Sequence, residues 1–295
     1  MARNTMDIFL SAKKERRKIT MVTCYDYSLA RVVDQTDIDC ILIGDSLGMT
    51  MLGYESTLPV TMDDMIRATQ SVVRGTTKPL IVADMPFMSY QASLEEGMRN
   101  AGRLLAEGGA GAVKIEGATP ATVALIRELI DHGIPVVGHL GLTPQSVNAF
   151  GGFHAQATEI EGIAKLLMEC ESYAEAGVKA VVLECIPAEL AKHITKTFPF
   201  ATIGIGGGVE CDGEVQVIHD VLGLSARKPR HANTFINGLE VLGDALRAYD
   251  QGVKDKTFPG PENSVHIEEN LISKAEDYLD GMFDAFFDDD SAIDN

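Results

Sequence analysis

Residues 111–117 read GAVKIEG. Val113 and Ile115 alternate with Lys114 and Glu116, the period of two that marks a β-strand with unlike faces. The apolar pair faces a packed layer. The lysine and the glutamate share the other face, on what reads as a buried parallel strand. A buried Lys–Glu pair without a ligand is mostly a structural cost, so this strand predicts function at its end.

Seven further apolar runs resemble it: residues 19–26, 40–45, 79–86, 134–141, 180–187, 200–208 and 215–223. Stretches with helical spacing separate them, such as TPATVALIRELIDHG at 119–133. Strands alternating with helices predict a parallel sheet. Eight such units in about 250 residues predict a closed (β/α)8 TIM barrel, with an open doubly wound sheet as the alternative. No Pro- or Ser-rich linker interrupts the pattern, which predicts one catalytic domain over residues 1–266. TMDIFLSAKKE (5–15) predicts an N-terminal helix capped by Thr5 and covering the barrel bottom. Residues 267–295 form a C-terminal extension. Its helix carries Ile267, Leu271, Ala275, Tyr278, Met282 and Phe286 as an apolar stripe, expected to pack on the protein itself or a sister subunit. An acidic, solvated tail, DAFFDDDSAIDN, follows.

The chain has 295 residues, 45% of them hydrophobic, and a net charge of −18. That charge repels a phosphate backbone and argues against a nucleic-acid partner. The five cysteines are odd in number and widely spaced, without a CxxC, which predicts free thiols in a reducing compartment. No signal-peptide pattern and no membrane-length apolar run is present, so a cytoplasmic location is expected.

Catalytic groups of such barrels stand at the C-terminal ends of strands. There the chain places Asp45 and Ser46, Asp84, Lys114 and Glu116, His139, and Glu184 on strands two to six. Strand one ends in Tyr25–Asp26, and strand seven in a glycine run. A single carboxylate at such a position also serves as a helix cap. Three beside one lysine repel strongly, a cost that a divalent cation relieves. Oxygen ligands without cysteine or paired histidine favour Mg²⁺ over zinc. GDSLG (44–48) fits the G-x-S-x-G of serine hydrolases, but no D-x-x-H supplies a base, and Ser46 is read instead as an anion-binding group. GIGGG (204–208) lacks the third glycine of a dinucleotide fingerprint, since Val209 stands there.

Several segments carry a more specific pattern: LIGDSLGMTMLGYESTLPVT (42–61), ADMPFMSY (83–90), VKIEG (113–117), GHLGLTPQSVNAFGG (138–152), LECIPAELAK (183–192), IGIGGG (203–208) and FPGPENSVH (258–266). In order and interval they resemble the ketopantoate hydroxymethyltransferase family, over roughly residues 5–266. The resemblance implies a barrel of the phosphoenolpyruvate/pyruvate type. It implies transfer of a one-carbon unit from 5,10-methylenetetrahydrofolate to 3-methyl-2-oxobutanoate, giving 2-dehydropantoate, the first committed step of pantothenate synthesis. By the same resemblance Asp45, Asp84 and Glu116 bind Mg²⁺, and Asp45, Ser46, Asp84 and Lys114 contact the keto acid. Glu184 is the proton acceptor, His139 has a supporting place near the substrate, and the assembly is a homodecamer. Two departures stand out. GIGGG replaces the family's GIGAG, and residues 229–233 read PRHAN where the family has P-[KR]-F-x-[KR]. The competing readings are another Mg²⁺-dependent 2-oxo acid lyase or ligase of the same superfamily, and a non-catalytic relative. The lyases' cysteine-bearing loop motif is absent, and all five charged site residues are present.

Overall fold

The computed structural model describes residues 3–226 and 228–289, with side chains as far as residue 282. The acidic tail from residue 290 and the Phe286 side chain lie outside the described residues.

Eight strands close a parallel barrel in chain order: β1 (Ile19–Thr23), β2 (Cys40–Ile43), β3 (Leu80–Asp84), β4 (Ala112–Glu116), β5 (Val136–Gly141), β6 (Ala180–Glu184), β7 (Ala201–Ile205) and β8 (Gly213–Gln216). β1 pairs with β8, so no edge is left open. The helices are α1 (Asp7–Glu15), α2 (Tyr27–Asp34), α3 (Leu47–Thr50), α4 (Met62–Gly75), α5 (Leu94–Ala106), α6 (Pro120–Asp131), α7 (Val147–Phe150), α8 (Ile160–Glu175), α9 (Ala188–Thr197), α10 (Ile218–Val221), α11 (Gly238–Lys254) and α12 (Asn270–Asp289). Several start where a polar side chain closes the first turn. Asp26 accepts from the Ser28 and Leu29 N–H groups at α2, Thr61 and Asp64 form a reciprocal box at α4, and Ser93 and Thr119 cap α5 and α6.

Alternation along the strands divides the core in two. Val113 and Ile115 join a layer with Leu104, Leu125, Ile126 and Leu129 of the surrounding helices. The other parity faces inward, where Cys40, Leu42, Leu80, Val82, Ala112 and Val137 meet Met6, Phe9 and Ala12. α1 thus stops one end of the barrel, as its sequence pattern predicts. Thr5 is not its cap. Met6 already has helical dihedrals and takes the cap position without a side-chain bond, and Thr5 contributes only its carbonyl, to the Ile8 N–H at 3.1 Å. The run at 215–223 also divides differently from its reading as one strand. β8 ends at Gln216, and the Ile218 N–H turns to the Thr23 hydroxyl at 3.0 Å as α10 begins. A short apolar run does not by itself distinguish strand from helix.

The chain gathers into two compact units, Met1–Gly238 and Leu239–Asn295. This division falls after Gly238, whereas the sequence pattern puts the domain boundary at residue 266. In the second unit Tyr249 meets Phe258 edge to face at 5.8 Å. The stripe residues Ile267, Leu271, Tyr278 and Met282 are exposed.

Phe9 is fully buried at the barrel stopper. Phe9→Ala is expected to cost about 3–5 kcal/mol through lost transfer energy and the cavity left behind, read as a lower midpoint in urea unfolding.

Candidate active site

The inward parity that lines the barrel carries at its far end Asp84, Lys114, Glu116, His139 and Glu184. Register sets their neighbours: Asp84 pairs with Lys114, Glu116 with His139, and Gly141 with Glu184. Lys114 Nζ lies 3.2 Å from Asp84 Oδ1 and 3.8 Å from Glu116 Oε1. It is also 3.1 Å from His139 Nδ1. All four side chains are buried. Moving an ammonium out of water costs several kcal/mol, so this lysine is held by its acids. Burial alone lowers its pKa, and Asp84, Glu116 and Asp45 outweigh that and raise it.

His139 stands between two carboxylates. Nδ1 is 3.2 Å from Glu116 Oε1, and Nε2 is 3.2 Å from Glu184 Oε2. An ammonium only donates, so Nδ1 accepts from Lys114 when the ring is neutral and donates to Glu116 when it is charged. Burial and Lys114 press the His139 pKa down; the two glutamates outweigh them and raise it. Glu184 keeps a wetter position, with its side chain 14% exposed.

Asp45, just beyond β2, meets the same group. Its backbone N–H donates to Asp84 Oδ2 at 3.1 Å. Burial, then the charges of Asp84 and Glu116, push the Asp45 carboxyl well above the usual carboxylate range. Asp84 is also raised, chiefly by burial. Glu116 goes the other way: burial raises it, but the His139 bond and charge and Lys114 bring it down. Asp84 Oδ1 is within ion-pair distance of Lys114, yet the angles make no hydrogen bond and the atom has no other partner.

Ser46 is half-buried, its Oγ 2.9 Å from Tyr25 Oη. Burial pushes the Tyr25 pKa up to about 12, so the phenol stays protonated at neutral pH and cannot take up the Ser46 proton. This is not the partner of a serine nucleophile. Gly44 permits the arrangement, since a Cβ there would lie 2.6 Å from Ser46 Oγ.

Sequence reading passed over two residues. Gln145, in the turn Pro144–Ser146 after β5, donates its side-chain N–H to Asp45 Oδ2 at 2.8 Å. Its backbone N–H donates to Glu116 Oε2 at 3.0 Å. Tyr90 Oη is 3.1 Å from Gln145 Oε1 and 3.1 Å from the Glu116 carbonyl. Neither residue carries a charge or completes a motif, so only their place in the family-like segments 138–152 and 83–90 hinted at them. Asp26, flagged at the end of β1, is a helix cap. Among the described residues, no group of three or more His, Cys, Asp or Glu side chains is gathered to hold a metal by itself.

A family model described as ketopantoate hydroxymethyltransferase matches residues 3–261. The chain belongs to this family. It is 47% identical over 273 residues to the 3-methyl-2-oxobutanoate hydroxymethyltransferase of Clostridium novyi (strain NT), covering 92% of this chain and 99% of that protein. It is 49% identical over 257 residues to the protein of the same name in Thermoanaerobacter sp. (strain X514), covering 87% and 93%. Among solved structures, the phosphoenolpyruvate phosphomutase of Streptomyces platensis subsp. rosaceus superposes with a TM-score of 0.58 at 15% identity, over 99% of this chain and 100% of that one. That likeness speaks to the barrel fold alone.

The alternative lyase reading is therefore not favoured, and the chain is a hydroxymethyltransferase. Its departure from the family pattern at residues 229–233 returns to the mouth of the barrel: His231 Nδ1 is 3.7 Å from Cys185 Sγ, next to Glu184.

The raised Asp45 carboxyl has a consequence for stability. The fold holds its proton more tightly than the unfolded chain does. Its contribution is present below the unfolded value near 3.9 and lost as pH rises through the higher folded value. At neutral pH the cation-free protein therefore bears a penalty. Asp45→Asn is expected to raise the thermal midpoint at pH 7 in chelator, and to leave little change at pH 3.

Proposed function

We propose that this hydroxymethyltransferase moves the one-carbon unit of 5,10-methylenetetrahydrofolate to C3 of 3-methyl-2-oxobutanoate, with Mg²⁺ at the barrel mouth. The observation that carries the reading is the buried cluster of Asp45, Asp84, Lys114 and Glu116, joined through His139 to the more exposed Glu184.

The residues fit the cation. The donors are all oxygen, the Asp45 and Asp84 carboxyls are raised by burial and then by neighbouring acids, and Asp84 Oδ1 lacks a hydrogen bond. Mg²⁺ commonly takes one or two carboxylates and fills its sphere with water and substrate, not with a complete protein cage. Asp45 and Asp84 would hold it directly. Glu116, already engaged by His139 and the Gln145 N–H, would hold it through water. When bound, Mg²⁺ supplies Lewis-acid polarisation of the keto carbonyl.

The chain's own groups do the rest. Ser46 offers its N–H and hydroxyl to the substrate carboxylate. The Lys114 ammonium faces the keto oxygen and stabilises the negative charge that develops there, in a site shielded from water. Glu184 removes the C3 proton, with His139 Nε2 within ion-pair distance of its carboxylate at 3.2 Å. The C3 carbanion attacks the methylene carbon of the opened folate iminium. One water supplies the hydroxyl oxygen, and tetrahydrofolate leaves, so that keto acid, methylenetetrahydrofolate and water give 2-dehydropantoate and tetrahydrofolate. The same reading takes the enzyme as cytoplasmic and homo-oligomeric, a decamer.

Proton removal can be tested without the folate. NMR of 3-methyl-2-oxobutanoate in D₂O reports exchange at C3. Glu184→Gln is expected to slow both exchange and turnover by ~10²–10⁴-fold, with keto-acid binding unchanged. Equal loss of binding and exchange would remove Glu184 as the base.

A further inference from the structure

One neutral side chain ties the acidic cluster together. The Gln145 amide donates to Asp45 Oδ2 at 2.8 Å and to the Met85 carbonyl at 2.9 Å. Its oxygen lies 3.1 Å from Tyr90 Oη and accepts from Gln91 Nε2 at 3.1 Å. Both N–H groups donate and the oxygen accepts from Gln91, while the single Tyr90 hydroxyl hydrogen is shared between this oxygen and the Glu116 carbonyl, 3.1 Å from each. Turning the amide over would aim its oxygen at a carboxylate and a carbonyl, so the network admits one orientation. The residue is 6% exposed, and its backbone N–H holds Glu116 Oε2 at 3.0 Å.

We propose that Gln145 is a positioning residue that aims the Asp45 and Glu116 carboxylates at the divalent cation and so sets the affinity of the site for it. The proposal rests on the magnesium reading above. An amide suits this role because it donates to Asp45 without bringing a charge that would compete with the cation. Groups that orient metal-binding carboxylates in this way are worth about 10–100-fold in metal affinity or activity. Gln91, on the exposed side of the network, holds the amide from behind.

The experiment is a Mn²⁺ titration of the full-length protein by electron paramagnetic resonance, with 3-methyl-2-oxobutanoate present, and with thermal midpoints recorded in parallel. Gln145→Ala is expected to weaken Mn²⁺ binding about 10–100-fold, and to raise the metal concentration needed for half-maximal turnover more than it lowers kcat at saturation. Gln91→Ala, at a solvent-exposed position, is expected to weaken Mn²⁺ binding in the same direction by less, with an unchanged thermal midpoint. Wild-type Mn²⁺ affinity in Gln145→Ala overturns the proposal and leaves the magnesium reading standing. If Gln145→Ala does not fold, wild-type affinity in Gln91→Ala overturns it. Failure of the wild-type protein to bind Mn²⁺ overturns both.

Discussion

A lysine without water around it is the constraint from which the rest of the barrel mouth follows. The Lys114 ammonium is buried, and no packing of apolar neighbours repays its lost hydration. Asp84 and Glu116 hold it, and each brings a desolvation cost of its own. Asp45 and Glu184 add more negative charge than one lysine neutralises. Burial first, and the neighbouring negative charge second, leave carboxyls at Asp45 and Asp84 that bind protons more tightly than usual. Such crowding works against stability. On the proposed reading, a cation and an anionic substrate recover that cost on binding.

Holding such a group together demands a frame that does not give. Parallel register supplies it. Asp84 faces Lys114 and Glu116 faces His139 because β3, β4 and β5 are hydrogen-bonded in that alignment, and a slip of one residue would turn the whole set into the apolar outer layer. Below the charges, inward Leu42, Val82 and Val137 pack against one another and against α1, which closes the opposite end. Fold and site are thus one arrangement read on two parities. Odd positions of β4 bind helices, and even ones bind chemistry.

Loops complete what the strands begin. Asp45 and Gln145 belong to no strand, yet Gln145 reaches both Asp45 and Glu116. Cys185 and His231 meet beside Glu184 although 46 residues separate them. The segment that brings His231 there lies far along the chain from β6, so chain closure and not local pattern sets this contact.

Alternation, glycine punctuation and helical spacing act over a few residues, and they made the barrel, its stopper helix and the inward face of Lys114 and Glu116 legible in the sequence. So were the charged residues at strand ends, because a buried charge stands out against an apolar run. Local pattern did not separate Asp45 from Asp26: both follow a strand, but one enters the cluster and the other caps α2. Nor did it limit β8 to Gly213–Gln216, remove Thr5 from the cap of α1, or single out Gln145, whose importance lies in five partners contributed by other segments. Those outcomes depend on which distant groups share a neighbourhood. Hydrogen bonds and Coulomb forces act at a few ångströms in space, and only closure of the barrel decides which residues come within that reach.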